Sequence, residues 1–376
     1  MKQVTPIILT LILMLSFGSC HKDKITVKQQ TQIVMGASST NGTKAVVSSK
    51  KSLVDISLAQ STGFGVFGYK SYIDQSASAF RVFNNPMVEP HINASVTPAD
   101  TSWTYTPIRY WDSNPNVTYY FIAYWPWIGT TSGNNTYVEE SNRTLTIHNI
   151  PNWQDSVNAL DIMTSARNGQ YRTTQSTEPL FYGGKVNFNF SHILAKFIIR
   201  GYYIGDISTH ITVHKITLMG SNFLLSNGVA DYSEQFGEQV NPTAAFGTVS
   251  TGNTDHILFD DTPQDVDGCE LPETSFDDEI APATQVPQTI CTWLTVPSSG
   301  FQNLSLKISF SIGQSAPQDI TVTGLTIGSG TTVKSNSYII TLKFDSSSGG
   351  IKLEQVAIKD WVPVQTTDDD RDVYNW

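Results

Sequence analysis

Val117-Thr118-Tyr119-Tyr120-Phe121-Ile122-Ala123-Tyr124-Trp125-Pro126-Trp127 is the stretch on which the fold turns. In an extended strand, successive side chains point to opposite faces. Tyr119, Phe121, Ala123 and Trp125 therefore share one side, and Tyr120, Ile122 and Tyr124 the other. Both sides are apolar. A strand of this kind is central in its sheet and covered twice, so its rings belong to a core rather than to an exposed sugar-binding platform.

Short β-branched and aromatic runs bounded by turn residues recur on either side of it. They lie at 64–69, 144–150, 186–190, 193–203, 211–219, 304–312, 320–327, 338–344 and 351–361. No window holds a long, capped helical period; residues 155–165 alone read as a helical turn or two. The runs are too many for one seven-stranded sandwich, and 376 residues suit two packed-sheet domains. The domains divide near Gly183-Gly184-Lys185, after a loop-like stretch at 168–179, giving 45–184 and 185–376. Residues 260–279 carry nine acidic side chains and no basic one, which reads as a long solvated loop.

Composition narrows the function classes. With 23 Lys+Arg against 33 Asp+Glu, the net charge of −10 offers no basic footprint for nucleic acid. The three cysteines cannot supply a zinc spacing with the histidines. His210 and His214 frame Ile-Thr-Val rather than the Glu of a metalloprotease helix, and on a strand they share an outward face with Thr212. Asp265-Val266-Asp267-Gly268 lacks the later ligands of a calcium loop, and Gly328-Ser329-Gly330 with Lys334 has the wrong spacing for a phosphate cradle. No nucleophile elbow is present. The expectation is a protein that is not an enzyme and has no cofactor or metal. A secreted hydrolase with carboxylates converging in space, and a surface binder of glycans through Trp103, Trp111, Trp125, Trp127 or Trp153, are the competing classes.

Residues 1–20 read as an export signal. Lys2 precedes an apolar stretch too short to span a bilayer. It ends Leu15-Ser16-Phe17-Gly18-Ser19-Cys20, which resembles a bacterial lipobox, with Phe17 where Leu, Val or Ile is usual. Cys20 is then the lipidated residue and the precursor is anchored by its lipid; signal cleavage beside an incidental cysteine is the plainer alternative. Cys269 and Cys291 are left as an even pair in an oxidising compartment, a candidate disulfide.

Several stretches together resemble the fimbrillin family, subunits of fimbriae made from lipoprotein precursors. They are Thr43-Lys44-Ala45, Phe64-Gly65-Val66-Phe67-Gly68-Tyr69, Trp103-Thr104-Tyr105, Tyr110-Trp111 and Ala123-Tyr124-Trp125-Pro126. Asp161-Ile162-Met163, Phe190-Ser191-His192-Ile193-Leu194-Ala195-Lys196 and Val356-Ala357-Ile358-Lys359-Asp360-Trp361 follow in order. The resemblance implies an all-β chain of two transthyretin-like Greek-key β-sandwich domains behind a propeptide, 21–44.

It also implies a mechanism. A protease cuts off the N-terminal segment at the outer membrane, a strand leaves the first domain, and a strand from a neighbouring subunit fills the groove. The removable strand would be Thr31, Gln32, Ile33, Val34 and Met35. The cut would fall between Lys44 and Ala45, with Lys50 and Lys51 as second candidates; Lys stands where better-known members carry Arg. Four or five apolar side chains entering such a groove contribute on the order of 10 kcal/mol gross. The donor candidate is the C-terminal segment with Val356, Ile358, Trp361, Val362 and Val364. Alternatively that segment is the last strand of its own domain, as suits a fibre tip, which needs no donor. Partners would be other fimbrial subunits, the outer membrane through the lipid, and a host or bacterial surface ligand for adhesion.

Overall fold

The computed structural model describes residues 32–39, 63–72, 79–91, 102–112, 114, 117–128, 136–155, 159–171, 185–204, 210–225, 228–237, 243–247, 251–252, 255–261, 269–271, 287–345 and 350–360. Apart from one short 3-10 turn at Gly328–Gly330, their regular structure is all strand. In order come β1 (Val34–Ser39), β2 (Phe64–Tyr72), β3 (Phe80–His91), β4 (Ser102–Thr104), β5 (Val117–Trp125), β6 (Tyr137–Ser141), β7 (Thr144–Pro151) and β8 (Trp153–Asp155). Next are β9 (Met163–Tyr171), β10 (Lys185–His192), β11 (Ala195–Ile204), β12 (Ile211–Met219), β13 (Leu224–Leu225), β14 (Val229–Gln235), β15 (Ala244–Phe246) and β16 (Thr251–Gly252). Last are β17 (His256–Asp260), β18 (Cys269–Glu270), β19 (Gln288–Thr295), β20 (Leu304–Ile312), β21 (Gln318–Leu325), β22 (Asn336–Asp345) and β23 (Gly350–Asp360).

A seven-stranded sheet in the order β1-β10-β9-β5-β2-β3-β4 curls around a core of its own. Ile33, Met35, Phe64, Val66, Phe121, Trp125, Phe188 and Phe190 meet inside it. The two edges approach each other, because Gln32 bridges Tyr110 just past β4. All nine residues of β5 are buried, as its doubly apolar pattern requires. Tyr119, Phe121, Ala123 and Trp125 face that inner core. Tyr120, Ile122 and Tyr124 face a second one, covered by a four-stranded sheet in the order β15-β14-β7-β6.

Apart from β13 and β16, which pair only with each other, the remaining strands form another sandwich. A five-stranded sheet, β23-β22-β11-β19-β8, contributes Phe197, Ile199, Tyr338 and Ile340 to a third core. A four-stranded sheet, β17-β12-β20-β21, supplies Ile216, Leu218, Leu306 and Ile308 from the other side, with β18 paired to β12.

Three expectations meet a different arrangement. The sheets do not divide at residue 184: β10 follows that point yet pairs with β9 and β1, because Val186, Phe188 and Phe190 complete the first core. In the same way β14 pairs with β7, and β8 pairs with β19. No helix occupies the described part of 155–165; Asp155 ends β8, Met163 opens β9, and the Leu160 amide donates to Gln154 Oε1 at 2.7 Å. The acidic stretch at 260–279 is not uniformly solvated either. Cys269 and Glu270 pair with Val213 and Thr212, and Leu271 is buried in the third core.

Candidate functional site

The segment before and within β1 alternates strictly: Gln32 and Val34 are exposed, Ile33 and Met35 fully buried. That period of two seats Ile33 and Met35 in the aromatic core of the first sheet. The Phe64 ring at the centre of this seat lies 4.9 Å from Trp103, 5.7 Å from Phe188 and 5.4 Å from Phe190, centroid to centroid. Two such side chains contribute roughly 3–6 kcal/mol gross. This is below the value anticipated for four or five apolar side chains, since the rest of β1 is Gly36-Ala37-Ser38-Ser39. The observed strand, Val34–Ser39, starts later than the expected one; Ile33 enters the seat through single hydrogen bonds rather than a ladder.

Both backbone edges of the segment are held. On one side β1 runs parallel to β10, Val34 opposite Lys185 through Ser39 opposite Phe190. On the other, the Ile33 amide donates to the Arg109 carbonyl at 2.9 Å, and the Tyr105 hydroxyl donates to the Ile33 carbonyl at 2.6 Å. The Arg109 amide in turn lies 3.4 Å from the Tyr105 hydroxyl, to which it donates. Tyr105 is buried against Phe83, ring centroids 5.3 Å apart, and burial pushes its phenol above the ordinary range, so it stays a donor.

The loop that carries Tyr105 and Arg109 is fastened at Asp112. Lys70 Nζ and the Tyr72 hydroxyl donate to Asp112 Oδ2 at 2.8 and 2.7 Å, and the Asn114 amide donates to Oδ1 at 2.9 Å. Burial alone would raise this carboxyl, but these hydrogen bonds and the Lys70 charge outweigh it and hold it at about 2. The Asp112 amide donates to the Tyr119 hydroxyl at 2.7 Å, tying the loop to β5.

The glycines of the β2 run also have a packing role. A Cβ on Gly65 would collide with the Tyr124 ring and with Asn85 Oδ1. Tyr124 uses that space to donate to Asn85 Oδ1 at 2.6 Å.

Two other stretches of the sequence pattern converge on a buried ionic group. His192 Nδ1 and Asp161 Oδ1 are 2.8 Å apart with both side chains buried. Lys196, 2% exposed, is pushed down to about 8 by burial, which the Asp161 charge only partly opposes. The turn between β10 and β11 is tied here to the start of β22: the Ser335 hydroxyl donates to the His192 carbonyl at 2.6 Å, and the Ser335 amide to the Leu194 carbonyl at 2.9 Å. Sequence reasoning quoted these residues without pairing them. The signal was a His and a Lys on either side of the apolar Ile193-Leu194-Ala195.

The remaining sequence-derived positions are distributed as follows. Val356 and Ile358 lie on β23, opposite Ile340 and Tyr338 of β22, at the edge of the five-stranded sheet. Cys20, Thr31, Lys44, Ala45, Lys50, Lys51, Trp361, Val362 and Val364 lie outside the described residues. Cys269 and Cys291 are both free thiols beside the third core. Burial pushes Cys269 up to about 11 and raises Cys291 further, with Cys269 adding to the latter. His214 Nε2 meets Ser311 Oγ at 2.9 Å on the neighbouring strand. None of the five tryptophans considered for glycan stacking is exposed: Trp103, Trp111 and Trp125 are buried, Trp127 and Trp153 half-buried.

Comparison with known proteins follows the same lines. No curated protein matches the chain in sequence. Among solved structures, a fimbrial protein from Bacteroides vulgatus superposes with a TM-score of 0.50 at 16% identity, covering 88% of this chain and 100% of the other. A putative cell adhesion protein from Bacteroides uniformis gives 0.46 at 15% identity over 88% and 98%. The tip fimbrial protein Mfa3 from Porphyromonas gingivalis, truncated at its C-terminus, gives 0.32 at 10% identity over 80% and 95%. A fimbrillin-like family model matches residues 43–361, from the stretch holding Lys44 to the end of the last strand. A match over that much of the chain places this protein in the fimbrillin-like family.

Proposed function

We propose that the chain is a non-enzymatic subunit of a cell-surface fimbrium, exported as a lipoprotein precursor through Cys20 and assembled at the outer membrane by strand exchange. Proteolysis at Lys44-Ala45, or at Lys50-Lys51, would free the segment carrying β1. A neighbouring subunit would then supply the missing strand to the first of two transthyretin-like sandwiches. The observation that carries this reading is the complete burial of Ile33 and Met35. Met35 lies on, and Ile33 just before, an edge strand that precedes these lysines, so a single cut there separates a core-forming segment from the fold it completes.

The pairing of β23 within its own sheet takes Val356 and Ile358 out of the donor role, because a strand already committed to β22 is not a free donor. Any donor role then falls to Trp361, Val362 and Val364 in the tail. Treatment of the purified precursor with a trypsin-like protease tests the proposal. Cleavage within 44–51 followed by ladder-like oligomers is the expected result for a stalk subunit, and capping of a ladder formed by other subunits for a tip. A chain cut there that retains its N-terminal piece and neither polymerises nor caps would overturn it.

A further inference from the structure

Tyr105 and Arg109 meet Ile33 of the N-terminal segment through its main chain, and the Gln32 side chain beside it also bonds Tyr105. The Tyr105 hydroxyl takes the Ile33 carbonyl and the Arg109 carbonyl takes the Ile33 amide, so nothing in this pair depends on which side chain Ile33 carries. The loop is held in place independently of the segment, by Asp112 with Lys70, Tyr72 and Tyr119, and by the packing of Tyr105 on Phe83. With the segment gone, the buried Tyr105 hydroxyl would exchange its 2.6 Å bond to Ile33 for the Arg109 main chain 3.4 Å away, a longer and weaker contact.

We infer that Tyr105 and Arg109 form a main-chain clasp that sets the register of the strand entering this groove, an extended segment of a second copy of this chain. The inference rests on the strand-exchange reading above. The occupant follows from the groove's present one: a strand of this same chain, alternating outward and inward, whose N–H and C=O at the Ile33 position are available to Arg109 and Tyr105 rather than to a ladder. The described chain ends in β23 at a sheet edge, and Trp361-Val362-Pro363-Val364 follows it. Proline has no N–H, so Pro363 is excluded from the clasp. Val362 or Val364 takes that place. With Val362 there, Val364 occupies the Met35 seat two residues on.

The test uses the full-length chain cut by a trypsin-like protease within 44–51, and a synthetic peptide of residues 29–39 with or without an N-methyl group on Ile33. The plain peptide should refill the groove and suppress oligomers. The N-methylated peptide, which cannot donate to Arg109, should need about 10-fold more. Tyr105→Phe keeps the ring against Phe83 and should weaken the plain peptide roughly 3–10-fold. In the uncut chain the same variant should speed hydrogen exchange at the Ile33 amide while leaving the β5 amides unchanged.

Equal potency of the two peptides, or unchanged exchange at Ile33 in Tyr105→Phe, overturns the clasp. Faster exchange spread through β5 does so too, since it marks a merely structural role. A plain peptide without effect on assembly removes the strand-exchange reading instead, and the exchange experiment on the uncut chain still decides the clasp.

Discussion

Truncating the two buried side chains of the N-terminal segment should loosen it in a way that a neighbouring exposed position does not. Ile33 and Met35 are both 0% exposed, whereas Val34 between them is 42% exposed. Ile33→Ala and Met35→Ala each remove a core side chain and should cost about 2–4 kcal/mol. Val34→Ala should stay within about 0.5 kcal/mol. The double variant should cost less than the sum. The seat contributes roughly 3–6 kcal/mol through these side chains, and once the strand has detached, further truncation has nothing left to weaken. Urea unfolding of the uncut chain followed by tryptophan fluorescence reads this, because Trp103, Trp111 and Trp125 lie in the same core. A transition midpoint for Ile33→Ala indistinguishable from that of Val34→Ala would refute the reasoning, as would full additivity in the double variant.

Two further outcomes follow from buried titratable groups. Lys196 titrates at about 8 in the folded chain against 10.5 when free, so between those values the unfolded chain holds more protons and stability from this group rises with pH. The stability of wild type relative to Lys196→Met should therefore increase from pH 8 to 10.5, by up to about 3 kcal/mol; a difference that stays flat in paired urea titrations would sink the assignment. Cys269 and Cys291 carry thiols raised by burial, so a maleimide at neutral pH should label them far more slowly in the native chain than in urea, as mass spectrometry would show. Rapid native labelling would contradict it.

Much of the fold was legible because its strands are extreme in pattern. The run 117–125 is apolar on both faces, and a period of two assigns each residue to one core or the other without further information. The removable segment is implied whole by the resemblance, without Ile33 and Met35 being marked as its buried side chains. Connectivity was not legible. A strand's partner is set by which exposed face it completes, and Val186, Phe188 and Phe190 suit the first core although they follow the glycines at 183–184. Short strands such as β8 and β18 carry too few residues to show a period at all. Tyr105 and Arg109 could not be singled out, because a contact to main chain leaves no complementary residue type elsewhere in the sequence. The buried His192–Asp161 pair was hidden for another reason: its partners sit 31 positions apart, and only the pairing of β9 with β10 brings them together.

The strands that cross residue 184 bear on how such a molecule carries load. Because β14 completes the sheet of β7, and β8 extends the sheet of β19, each sandwich is built from strands on both sides of residue 184, and the chain passes between them more than once. Traction that draws one sandwich from the other is therefore shared among several chain crossings, of which the one between β7 and β8 is a single residue, Asn152. The same arrangement means that neither half, expressed by itself, holds all the strands its sheets require.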